Sequence, residues 1–180
     1  INLPSENECF ELMNHYNMLP NIVDHSIQVM RVAMVVANHL IDQSLINIPL
    51  LKAGALLHDI AKTISIQNND RRHDLIGGEI LRQHGYVEIA IIVESHVILN
   101  DFNHHGPLEE REIVHYADKR VMHDVIVTLD ERIEDLCERY GKNDEIKILI
   151  KENLEFLRLL ESKIQRFISK DIEFIIQTLQ

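Results

Sequence analysis

The doublet His58-Asp59 follows a strongly apolar run, Ala53-Gly54-Ala55-Leu56-Leu57, so a helix that buries the run ends on an imidazole and a carboxylate. Neutral imidazole with carboxylate is the donor set of a mixed nitrogen–oxygen site for Fe, Mn, Zn or Mg. Adjacent helical residues point about 100° apart, so both reach one ion only if it lies off the helix end. Taken alone, the pair is better read as a capping aspartate beside a partly buried histidine. Two other stretches bear on the choice. His25 lies among Ile22, Val29 and Val32, where a buried imidazole without a partner would cost about 1–3 kcal/mol. Asp118 follows Ile113, Val114 and Ala117 and precedes Val121; a carboxylate flanked by such neighbours needs a partner or a cation to stay ionised. Three separate helices each place a metal-competent side chain beside an apolar stripe, the pattern of a metal site inside a helical bundle.

Those side chains must be positioned by helices, and the hydrophobic periodicity supplies them. A short amphipathic stretch opens at Pro4-Ser5-Glu6 and ends near His15-Tyr16. Ile22, Val29, Val32, Val36 and Leu40 recur at threes and fours, predicting a helix from Asn21 to about Ile41. Asn47-Ile48-Pro49 opens the next helix, with proline in a first-turn position that tolerates its missing N–H. It runs into His58-Asp59. The polar segment 67–72 reads as a loop, and Asp74 to Gln83 as a helix stopped by Gly85. Tyr86 to His96 and Leu108 to Val121 read as helices around a loop from Asn100 to Pro107. Asp130 to Tyr140 and Asp144 to about Leu179 carry helical periodicity, broken at Gly141-Lys142-Asn143. The expectation is an all-α fold: a single helical bundle with a C-terminal helical extension.

Composition bounds the function. A chain of 180 residues, 46% hydrophobic and 26% charged, has room for one domain with an appendage. With 18 basic against 29 acidic residues the net charge is −11, a surface that repels a phosphate polymer. The absence of tryptophan and the 5% aromatic content leave little for a base-stacking platform along a nucleic-acid strand. A small anionic substrate remains compatible, because a bound metal reverses the local field. Eleven histidines point the same way. Cys9 and Cys137 form no C-x-x-C pair, which fits a reducing, cytoplasmic location. No apolar run reaches the roughly 18 residues needed to span a bilayer. The chain begins at Ile1, which leaves open a start, or a further domain, upstream.

The sequence resembles the HD-domain metal-dependent phosphohydrolase superfamily over roughly residues 20 to 122. Pro20-Asn21-Ile22-Val23-Asp24-His25 matches the first histidine, Leu56-Leu57-His58-Asp59-Ile60-Ala61-Lys62 the naming doublet and its following lysine, and Ala117-Asp118-Lys119-Arg120 the terminal aspartate. The resemblance implies that His25, His58, Asp59 and Asp118 ligate one divalent metal. His73 and His96 complete an order similar to branches that hold two metals, among them bacterial dinucleoside tetraphosphate hydrolases and cyclic dinucleotide phosphodiesterases. Those branches imply a bridging role for Asp59. The glycines of the second branch's signature are incomplete here, which ranks cyclic dinucleotides lower. Read by themselves, His73 is equally a solvated helix-start residue and His96 a helix-end histidine.

The resemblance implies one or two divalent ions, drawn from Fe, Mn, Co, Mg, Zn or Ni, and hydrolysis of a phosphate ester or anhydride of a nucleotide or dinucleotide. Asp59 and Lys62 are the expected catalytic residues. Lys62 would neutralise charge on phosphate or protonate the leaving oxygen, the alternative being an exposed lysine at a helix C-terminus. Lys119 and Arg120 are further candidates for phosphate, or else face water. His115 is a candidate to support the ligands from behind. His104-His105 is a candidate gate, or a pair of solvated loop residues, and His15, His39, His84 and His123 read as surface or boundary residues. Residues 1–125 are expected to form the catalytic domain, with 126–180 packing on it or making a homodimer contact through Ile148, Leu149, Leu154, Phe156, Leu157 and Leu160. A non-catalytic signalling module and a di-iron oxygenase on the same scaffold are the competing readings.

Overall fold

The apolar run before the doublet is helical because Asn47 caps it, its side chain accepting from the Leu50 amide at 3.1 Å, and because Pro49 fits the first turn. This helix, α3 (Ile48–Leu57), is buried nearly all round, as its continuous Leu and Ala content requires. Gly54 lets another helix come close: a Cβ there would lie 2.7 Å from the Ile92 side chain. A computed structural model describes all 180 residues. In chain order the other helices are α1 (Glu6–His15), α2 (Pro20–Asn38), α4 (Lys62–Gln67), α5 (His73–Gln83), α6 (Val87–Glu94), α7 (Glu110–Lys119), α8 (Leu129–Tyr140), α9 (Asp144–Gln165) and α10 (Ile172–Gln177). A two-stranded hairpin, β1 (Val121–Met122) with β2 (Val125–Ile126), separates α7 from α8.

The all-α expectation holds. Helix α2 packs on α3, α7 and α10, while α5 lies against α6 and α8 against α9. One hydrophobic core of 42 buried residues runs from Cys9 to Ile176. Its inward stripe on α2 is Ile22, Val29, Val32, Ala33 and Val36, and His25 falls on that same stripe. No helix is long and apolar enough to cross a membrane.

The structure corrects the predicted boundaries in four places. Helix α2 stops at Asn38 because the chain beyond it pairs with the C-terminal segment: Leu40 bridges Ile168, and the Ile41 amide donates to the Phe167 carbonyl at 2.9 Å. That pairing also splits the expected 144–179 helix, and Asp171 recaps the chain by accepting from the Phe174 amide at 3.0 Å. Helix α3 ends at Leu57 instead of running through His58-Asp59; a turn at 58–61 intervenes and α4 starts afresh. Finally, Val121 is strand rather than helix, and His123 occupies the left-handed region (φ 56°) in a two-residue hairpin turn.

In the C-terminal region, Leu157, Leu160 and Ile164 are buried in the common core, with Leu154 and Phe156 packed against it. Ile148 and Leu149 are exposed.

Candidate metal centre

The six predicted ligands come from five elements and meet at one place, largely at helix ends. His25 projects from the second turn of α2. His58 caps the C-terminus of α3, so the doublet lies off the end of the helix, and Asp59 occupies the following turn. His73 is the first residue of α5, His96 lies just past α6, and Asp118 sits in the last turn of α7. All but His73 are buried, His58 completely.

The groups form two trios that share a boundary. His25, His58 and Asp118 present ligand atoms within 4.8 Å of one another, as do Asp59, His73 and His96. In the first trio, Asp118 Oδ1 is 3.0 Å from His25 Nε2 and 3.4 Å from His58 Nε2. In the second, Asp59 Oδ1 is 3.3 Å from His73 Nε2 and 3.4 Å from His96 Nε2. The other oxygen, Asp59 Oδ2, points back to the first trio, 3.5 Å from His58 Nε2 and 3.9 Å from His25 Nε2. One carboxylate thus offers an oxygen to each trio.

The imidazoles are held from behind. His25 Nδ1 donates to the His123 carbonyl at 2.6 Å, His58 Nδ1 to the Ala55 carbonyl at 2.7 Å, and His96 Nδ1 to the Val93 carbonyl at 2.6 Å. A ring that donates from Nδ1 keeps a lone pair on Nε2 when neutral, and all three Nε2 atoms face the cluster. His58 Nε2 is buried and has no hydrogen-bond partner. A buried polar atom in that state carries a penalty unless something outside the polypeptide meets it. The donor set, the convergence and this orphaned nitrogen fit divalent metal ions.

Electrostatics reinforce the arrangement. Burial works against charge on Asp59, but His58, the His73 and His96 imidazoles and Lys62 hold its carboxyl well below the usual carboxylate range. For Asp118, burial is likewise outweighed by Lys119 and by the neighbouring His25 and His58 imidazoles. Burial pushes the His96 imidazole down, towards the neutral form that a ligand needs. Burial also opposes the Lys62 ammonium, yet Asp59 and Asp118 outweigh it and hold Lys62 above its ordinary value. Lys62 Nζ lies 3.1 Å from Asp59 Oδ2.

The remaining candidates separate. Lys119 reaches the site, donating to Asp118 Oδ2 at 2.6 Å. Arg120 does not. It is buried on the other side of α7, donating to the Val127 carbonyl at 2.7 Å, the Tyr116 hydroxyl at 2.8 Å and Glu173 at 2.9 Å. An arginine buried to 1% exposure and anchored on three internal acceptors is not presented to a phosphate at the metal centre. His115 bonds the Ser95 carbonyl at 2.9 Å and packs edge-on to Phe156, touching no ligand directly. His104 bonds Ser162 of α9 and Arg166, which caps that helix, rather than any ligand. His123, expected only as a boundary residue, supplies its backbone carbonyl to His25; no sequence signal marks a carbonyl contact across 98 residues.

A cavity of about 330 Å³ is lined by His25, Asp59 and Lys62 and also by Arg132, Arg139 and Tyr140 of α8. It shares Lys62, Ile66, Arg139 and Tyr140 with a wider cleft of about 910 Å³ that reaches His73. Nothing in the spacing of the α8 residues announced that they border the doublet.

The chain belongs to the HD-domain family, whose pattern matches residues 22–123. Members of this family bind divalent metals and are generally metal-dependent hydrolases. Among curated proteins, the chain is similar to a tRNA (cytidine(56)-2'-O)-methyltransferase of Thermoplasma volcanium, 32% identical over 96 residues, which is 53% of this chain and 26% of that protein. It is also similar to a Ribonuclease Y of Thermosipho melanesiensis, 37% identical over 90 residues, 49% of this chain and 15% of that one. In both cases the shared stretch is a small part of the relative. No solved structure matches significantly.

Proposed function

We propose that this protein is a metal-dependent phosphohydrolase that cleaves a phosphate ester or anhydride of a nucleotide or dinucleotide, dinucleoside tetraphosphates included. The carrying observation is the placement of Asp59 between two imidazole-rich trios, one oxygen towards each. His25, His58, Asp59 and Asp118 would hold one ion, and Asp59, His73 and His96 a second. Fe, Mn, Co, Mg, Zn and Ni all suit this donor set. When bound, such ions polarise phosphoryl oxygens and lower the pKa of water.

The chain's own groups then have defined tasks. Asp59 and Asp118 stay ionised and keep the site anionic enough to retain cations. Asp59 orients the attacking water, whose oxygen bonds to phosphorus while one of its protons leaves to solvent. The bridging P–O bond breaks, and Lys62 gives its proton to the leaving oxygen and recovers one from solvent. Lys119, fixed on Asp118, adds positive charge beside the phosphoryl group. We assign these tasks to residues 1–125 and treat 126–180 as a helical extension of that domain.

Phosphate release from nucleoside mono- and triphosphates, dinucleoside tetraphosphates, cyclic dinucleotides and an RNA oligomer, with Mn, Fe, Co and Mg added separately, tests the reading. Turnover of a small nucleotide with at least one metal, lost on chelation, is the expected result. Oxygen consumption without phosphate release would replace it with the oxygenase reading. No turnover at full metal occupancy would leave a signalling module, and cleavage of RNA alone would overturn the small-substrate assignment. His73→Ala and His96→Ala should each lower metal content from two ions towards one; unchanged stoichiometry reduces the site to a mononuclear one.

A further inference from the structure

The cleft leading out from Asp59 is walled by residues that lie beyond the matched family segment, which ends at residue 123. Arg132, Arg139 and Tyr140 belong to α8, and Lys142 to the turn after it. Lys62 and Arg71 line the cleft as well. Five cations therefore line the two cavities against only two carboxylates, Asp59 and Asp70, in a chain whose net charge is −11. The local sign is the reverse of the global one, which concentrates anions at this mouth.

Internal pairing leaves part of this charge free, although Lys62 is held on Asp59. Arg71 and Lys142 have no ion-pair partner. Arg132 and Arg139 share one carboxylate oxygen, Asp135 Oδ2, at 2.9 and 2.6 Å, so one negative charge holds two guanidinium groups in place. Arg132 Nε is buried without an acceptor, and its charge is near enough to Lys62 to oppose it. Between the cations stand two exposed apolar side chains, Tyr140 (54% exposed) and Ile66 (62%). The Arg139 guanidinium lies 5.4 Å from the centre of the Tyr140 ring, and Tyr140 is the one aromatic ring besides histidine that lines either cavity.

We propose that α8 and the following turn form the specificity wall of this site, with Arg71, Arg139 and Lys142 binding the phosphates distal to the scissile one and Tyr140 stacking on the base of a nucleoside polyphosphate. The inference rests on the hydrolase reading of the metal centre and adds the substrate class. Guanidinium and ammonium groups are the natural partners of a phosphate chain. A single exposed ring receives one base, whereas a strand needs a succession of them. At about 910 Å³ the cleft lies within the range of small-molecule sites, roughly 300–1,000 Å³.

The test is equilibrium binding by calorimetry on the metal-stripped full chain, titrated with AMP, ATP and inorganic tripolyphosphate. The parent should bind ATP at least about tenfold more tightly than AMP. Arg139→Gln and Lys142→Gln should each weaken ATP and tripolyphosphate about fivefold to tenfold with little effect on AMP. Tyr140→Ala should weaken ATP and AMP about tenfold and leave tripolyphosphate unchanged, in keeping with about 1–3 kcal/mol per stacked base. All three side chains are exposed, so the fold should survive, as circular dichroism will show. Equal affinity for AMP and ATP, or variants that bind as the parent does, would overturn the proposal. So would displacement of ATP by single-stranded RNA with affinity rising along its length. Because no metal is present, ATP binding without any turnover on reloading would sink only the hydrolase reading. Turnover with a KM unchanged in all three variants would sink only the wall.

Discussion

Helix α7 carries two buried polar clusters on opposite sides, and they are built differently. On one side Glu112, Tyr116 and Arg120 recur every four residues and are closed by the C-terminal helices. Lys163 of α9 donates to Glu112 at 2.6 Å with both side chains 1% exposed. Tyr116 donates to Glu161, and Arg120 pairs with Glu173 at 2.9 Å. Asp118, two positions and about 200° round from Tyr116 and Arg120, faces the other way into the imidazoles. In the first cluster every buried donor has an acceptor; in the second the His58 Nε2 lone pair meets no donor. A closed network holds its helices together and binds nothing, whereas converging lone pairs left open form a receptor for cations.

The largest effect should come from breaking the open cluster. Asp59→Ala removes the carboxylate that faces both trios, and metal-dependent phosphate release should fall at least about a thousandfold, roughly 4 kcal/mol of transition-state stabilisation. The helical signal should persist, because the core does not depend on this carboxylate. Activity that survives the change would mean that the doublet is not the site.

Breaking the closed cluster should instead affect stability. Lys163→Met strands the Glu112 carboxylate in the interior and should destabilise by about 3–5 kcal/mol in urea unfolding. The double variant with Glu112→Gln should recover most of the loss, since glutamine still accepts from the Glu109 amide at the start of α7, a bond of 3.0 Å in the parent. Destabilisation that the second change fails to relieve would mean that Lys163 acts through packing alone.

The smallest effect sharpens the boundary between the clusters. His115 lies between them on α7, and burial pushes its imidazole down to about 3. An unfolded chain takes up a proton near pH 6.5, the native one refuses it, and stability therefore falls as pH drops through the interval from about 6.5 to about 3. The slope from this residue is about 1.4 kcal/mol per pH unit. Unfolding measured at pH 6, 5 and 4 should show the parent losing stability faster than His115→Gln by that amount. Parallel slopes would place His115 in contact with water.

Much of this molecule was legible locally. The three-and-four spacing from Ile22 to Val36, the Asn47 cap with Pro49, and the stop at Gly85 each express short-range physics that a few neighbouring residues contain. The doublet was legible for the same reason, since an apolar helix running into an imidazole and a carboxylate is a local event. The break at Phe167–Lys170 was not, because it follows from pairing with Leu40, well over a hundred residues earlier.

What the residues alone determined is most of the helices, though not α4 or the division of α9 from α10, and a shortlist of metal-competent side chains among eleven histidines. The tertiary fold decided which of them converge, that Lys119 meets Asp118 while Arg120 turns into the core, and that α8 borders the cleft. Periodicity reports which face of a helix avoids water. It carries no information on which other helix end will stand a few ångströms away, because that depends on packing between segments whose order in space only the whole core selects.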